Sequence, residues 1–168
     1  MPTLMDRASR LRRLVHAVSS SLQWLPPTVA RLTIGWIFLE SGWGKLHNLP
    51  RVVEYFTELG IPAPQLQAPL AATTEFVCGA LMLVGLFTRV ASLPLIATML
   101  VAILTAKKGD IQELSDLFAT AEFLYIVLLL WLGAYGAGPL SLDGLFAKRL
   151  ERSERPLPGR AQGVAAAR

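Results

Sequence analysis

The chain is poor in the residues that build metal and disulfide sites. It has one cysteine, Cys78, and two histidines, His16 and His47, in 168 residues. A single thiol closes no internal disulfide, and so few sulfur and imidazole ligands cannot assemble a Cys/His zinc site, so no metal is expected. A haem held by a histidine pair is disfavoured too, because His16 and His47 lie at opposite boundaries of an apolar segment. Phosphate and nucleotide motifs are missing: there is no GxGxxG, P-loop or GxSxG, and the glycines of SGWGKL lack the strand context for phosphate binding. The basic residues are not interleaved with aromatics, so no nucleic acid is expected as partner. Any electron transfer in which this chain takes part therefore rests on a ligand or on a partner protein.

Charge is scarce as well, at 17% of residues against 53% hydrophobic, with a mean hydropathy of +0.47. That balance exceeds what a small water-soluble core needs. Windows of about 19 residues find four apolar segments, Pro27 to Leu46, Gln65 to Phe87, Val90 to Ala106 and Asp116 to Gly138. Each is near the ~20 residues that cross a bilayer core. The expected fold class is all-α, a polytopic membrane four-helix bundle, with Pro94 kinking the third helix. Arg7, Arg10, Arg12 and Arg13 precede the first segment and Lys148, Arg149, Arg152 and Arg155 follow the last, whereas the other side balances Lys45, Arg51, Lys107 and Lys108 with five acids. Basic flanks mark the cytoplasmic side, so both termini are expected there and the +4 net charge is a topology signal.

Outside these segments, the chain from Arg10 to Leu25 alternates apolar and polar residues at helical spacing. It is expected to lie as an amphipathic helix on the cytoplasmic membrane surface, within a segment 1–26. A cleaved signal peptide fits less well, because His16, the serines and Gln23 interrupt its apolar part. The bundle domain takes 27–145, and 146–168 is a basic tail without apolar periodicity, expected to be disordered. Between the first two segments, LPRVVEYFTELGIPAP reads as a short helix started by Pro50 and stopped by Gly60, with Val52, Val53, Tyr55, Phe56 and Leu59 laid on the outer surface.

Three of the four segments carry a carboxylate: Glu40, Glu75 and Glu122. A charge deep in a bilayer costs at least about 2.5 kcal/mol, so all three are expected to face the bundle interior in its outer half. Glu40 and Lys45 are about 140° apart on a helix and are poorly placed to pair with each other. Lys45 is instead a rim cation able to hold one of the acids ionised. Trp36 and Trp43 lie one turn either side of Glu40, and Tyr125 lies three residues after Glu122. The candidate ligand-binding set is Trp36, Glu40, Trp43, Lys45, Glu75, Glu122 and Tyr125, with the three acids as candidate proton relays. The same acids also fit a buried structural network, with Trp43 as an interface anchor and Cys78 as a small buried hydrophobe, and spacing alone does not choose.

The strings RLTIGWIFLESGWGKL, YFTELGIPAP, GALMLVGLFTR after Glu75, and GAGPLSLD occur in an order that resembles the DoxX family of small four-helix bacterial inner-membrane proteins. The resemblance spans about residues 30 to 145. It places family-like residues at Arg31, Gly42, Lys45, Glu75, Gly85, Thr88, Arg89, Glu122, Gly138, Ser141 and Asp143, and leaves Glu40 outside the pattern. It implies a bacterial cytoplasmic-membrane protein related to subunits of quinone-linked sulfur oxidation and to a membrane partner in thiol-redox complexes. Arg31, Arg89 and Asp143 fall at the cytoplasmic edge, where Asp143 is expected to form an ion pair with Arg89 or Arg31. The implied function is a subunit of a membrane oxidoreductase that binds a quinone or another small apolar molecule. A non-catalytic scaffold for a partner protein and a small proton-coupled transporter stay open as alternatives, as does a homo-oligomer.

Overall fold

The computed structural model describes residues 4–146 and Arg149; within 4–22 the side chains of 4–11 and 14 are not described. The described residues are mostly helical and include no strand. The helices are α1 (Leu4–Leu22), α2 (Leu25–His47), α3 (Leu49–Glu58), α4 (Pro64–Val84), α5 (Thr88–Thr105), α6 (Leu114–Ala119) and α7 (Ala121–Tyr135). The four long helices α2, α4, α5 and α7 form a closed bundle in which α2 packs on α4, α4 on α5, α5 on α7 and α7 back on α2. The core between them is built from Ile34, Phe38, Met82, Leu95, Leu129 and Leu132, all 2% exposed or less.

The tightest seam is α2 against α4. A Cβ on Gly42 would overlap the backbone of Phe76, and one on Gly79 would overlap the backbone of Leu39. Glycine at these places lets two helix backbones touch, which is how apolar helices gain packing energy when their surroundings are equally apolar. Gly44, two residues further along α2, meets nothing within 4 Å.

The sequence places the helix ends well for α2, α4 and α5. α5 runs unbroken through Pro94. The fourth apolar segment differs from the single stretch 116–138, because Thr120 adopts an extended backbone (φ −73°, ψ 141°) and its hydroxyl accepts from the Phe123 N–H as the cap of α7. The segment divides into α6 and a 15-residue α7 that ends at Gly136. Ahead of α6, Asp116 and Glu113 form a reciprocal capping box. The Asp116 carboxylate accepts from the backbone N–H groups of Glu113 (2.9 Å) and Gln112 (3.0 Å).

α1 starts at Leu4 rather than near residue 10, and its described side chains from Arg12 on are exposed apart from Leu14, whose side chain is not described. The tail expected from residue 146 lies, except for Phe146 and Arg149, outside the described residues.

Candidate functional site: a walled cavity at one end of the bundle

Two polar constellations sit at opposite ends of the bundle. At the end where α2 and α5 begin, Arg31 is 3% exposed and donates to the carbonyls of Met82 (3.2 Å), Leu83 (3.0 Å) and Leu140 (2.8 Å). Two of these are carbonyls of the last turn of α4, where helical N–H donors run out; Met82 shares its carbonyl with the Gly85 N–H (3.1 Å). Gly85 follows with φ +70°, closing α4 in a left-handed turn, and a Cβ there would overlap the Arg31 guanidinium.

The expected ion pair of Asp143 with Arg31 or Arg89 is not formed. The Asp143 carboxylate accepts instead from the backbone N–H groups of Phe87 (3.0 Å) and Thr88 (3.3 Å), and its own N–H donates to the Gly85 carbonyl (3.0 Å). The physical reason is that α5 begins with free amides and no side-chain cap of its own, so the carboxylate serves as that cap from a distant segment. Arg89 is exposed beside Gly136.

The other end holds a cavity of about 840 Å3 between α2, α3, α4, α5 and α7. Glu75, in the middle of α4, is 2% exposed and points into it. The Lys45 ammonium contacts both carboxylate oxygens, at 2.5 and 2.6 Å, and the Ser41 hydroxyl donates to the second at 2.8 Å. Ser41 and Lys45 are one turn apart on α2, so they share the face turned toward α4. The spacing held that signal, although the sequence reading did not use Ser41.

Glu122, in the first turn of α7, lines the same cavity and makes no hydrogen bond or ion pair with another described residue. Tyr125, one turn on, also lines it and packs edge-on against Phe38, with ring centroids 6.0 Å apart. The structure therefore gathers Lys45, Glu75, Glu122 and Tyr125 around one open volume.

It does not bring Glu40, Trp36 or Trp43 there. The interior face of α2 is set by Ile34, Phe38, Ser41 and Lys45, and Glu40 lies 100° from Ser41. All three are exposed on the outer side, Trp36 at 60% and Trp43 at 54%. Trp43 packs on His47 and Phe76 rather than on a cavity.

The other residues the sequence reading missed come from α3. Its Val52, Tyr55, Phe56 and Leu59 line the cavity as a roof. The apolar stripe was visible in the sequence, but a stripe laid on a membrane surface and one laid over a pocket have the same period. Pro94 contributes wall from α5, and among the described residues no group of His, Cys, Asp and Glu is placed to hold a metal ion.

The DoxX family model matches residues 27–108. An uncharacterized membrane protein of Mycobacterium tuberculosis is 34% identical over 153 residues, which cover 82% of this chain and 88% of its own. CatD of Bacillus subtilis, provisionally named an oxidoreductase, is 30% identical over 67% of this chain and 81% of its own. The Escherichia coli inner membrane protein YqjF is 26% identical over 72% of this chain and 92% of its own. No solved structure matches. The chain belongs to the DoxX family of membrane proteins.

Proposed function

We propose that this protein is an integral subunit of a bacterial membrane redox system, and that the cavity takes the headgroup of a quinone or a similarly sized apolar molecule with ring oxygens. The observation that carries this reading is the cavity itself: an 840 Å3 space, walled mainly by apolar side chains, on which Lys45, Glu75, Glu122 and Tyr125 converge. Pockets of about 300–1,000 Å3 with a few placed polar groups are the usual form of small-molecule sites. The provisional name of the Bacillus relative lends the redox class some weight.

The residues fit such a ligand. Two Lys45 N–H groups are used by Glu75 and a third is left for a ligand oxygen. Among the described residues the Glu122 carboxyl has no hydrogen-bond partner. A bound quinone would supply the electron chemistry. The chain's own work is to position the ring, shield it from water under α3, and hold or pass a proton at the Glu122 carboxyl.

In this reading α2, α4, α5 and the α6–α7 pair cross the inner membrane, with both termini cytoplasmic and the cavity toward the outer face. The basic flanks at the Arg31 end support that orientation.

The test is gentle extraction of the intact protein from its native membrane, followed by mass spectrometry of bound small molecules. Wild type is expected to retain quinone near one per chain, and E122Q and K45M to lose most of it. The D143N variant, altered at the far end, should retain it. A wild-type protein that carries no quinone from quinone-rich membranes removes the proposal.

A further inference from the structure

Along the outer side of α2, Val29, Thr33, Trp36, Glu40, Trp43 and His47 are all exposed and are spaced by alternating steps of four and three residues. That is the repeat of a helix–helix seam, in which every side chain faces one partner helix. At one end of the stripe the Trp43 ring lies 5.7 Å from that of Phe76 on α4, and at its centre stands an exposed carboxylate. Beside it, Gly44 opens onto empty space, so a neighbouring backbone can approach closely.

In a helix that crosses the bilayer, Glu40 lies about 10 Å inside the His47 end. At that depth a carboxylate facing lipid is costly and needs a donor. Among the described residues the cations at the His47 end are turned elsewhere: Arg51 of α3 lines the cavity, and Lys107 faces Asp110 in the loop after α5. α4 and α7 contain no Lys or Arg, and α5 has only Arg89, at the opposite end. Of the cations in α2, Lys45 is held on Glu75 inside the cavity and Arg31 is buried at the opposite end. A second copy in the same bilayer would present the same surfaces at the same height, setting Glu40 against another carboxylate or an apolar face.

We infer that the α2 stripe is the docking face for a membrane-spanning helix of a different protein, one that brings an Arg or Lys to the level of Glu40. The inference rests on α2 crossing the membrane and is independent of what the cavity holds. In coiled-coil seams a single polar residue fixes register and partner, and Glu40 has that position here.

The test uses the full-length protein in phosphatidylethanolamine/phosphatidylglycerol vesicles, with synthetic polyleucine helices that carry one Arg at the matching depth or none. Association is read by energy transfer. The Arg peptide is expected to bind wild type roughly five- to thirtyfold more tightly than the all-Leu peptide. That preference should vanish in E40L and shrink in E40Q. Because Glu40 is outside the core and the cavity, both variants should keep wild-type helicity and quinone retention, which separates failure of this inference from failure of the ligand proposal. Equal binding of the two peptides to wild type overturns the inference. So does a G44C variant that crosslinks in native membranes to a species of twice the chain mass, which would make the occupant a second copy.

Discussion

Removing the ammonium of Lys45 leaves the Glu75 carboxylate with Ser41 as its one remaining hydrogen-bond donor, in a site 2% exposed. A buried charge that loses its partner costs about 3–5 kcal/mol, and because the Lys45 side chain is 31% exposed the lower end applies, about 3 kcal/mol. K45M is therefore expected to lower the melting temperature in detergent more than the double variant K45M/E75Q, in which no charge is left stranded. A thermal-shift series of the four members of that cycle checks it. The pair was half legible in the sequence: Lys45 and Glu75 were both singled out, and Lys45 was expected to hold an acid ionised. What a single sequence cannot give is the rotation of each helix about its own axis. That rotation sends Glu75 inward and Glu40, an acid of the same kind in a similar apolar run, outward.

At the scale of elements, helix ends decide more than charge pairs do. Asp143 caps the first amides of α5 from a segment more than fifty residues away. D143A is expected to cost about 1 kcal/mol, as the loss of a helix cap does, and D143N distinctly less because its amide oxygen still accepts. An ion pair with an arginine would make the two variants equally damaging, so comparing their melting temperatures tells cap from pair. Sequence reading grouped Arg31, Arg89 and Asp143 at one end of the bundle. It then paired opposite charges by default, because the free backbone amides that compete for a carboxylate carry no letter of their own.

For the whole molecule, the two ends of the bundle are chemically different, and the difference predicts its placement. One end gathers the basic α1, the buried Arg31 and the exposed Arg89, and leads into the basic tail; the other holds the cavity, α3, and a loop in which Lys107 faces Asp110 at 3.6 Å. Cationic flanks resist translocation, so the first end is expected on the cytoplasmic side and the cavity on the outer side. In a C78A background, a cysteine placed at Gly109 should react with a membrane-impermeant maleimide on intact spheroplasts, and one placed at Ser20 should react only after lysis. Reversed labelling would turn the cavity toward the cytoplasm and require its ligand and partner to be sought there. Labelling of both sites on intact cells would leave an even number of crossings between Ser20 and Gly109, incompatible with α2, α4 and α5 each spanning once. The three crossings between those sites and the charge asymmetry of the bundle thus stand or fall on one pair of cysteines.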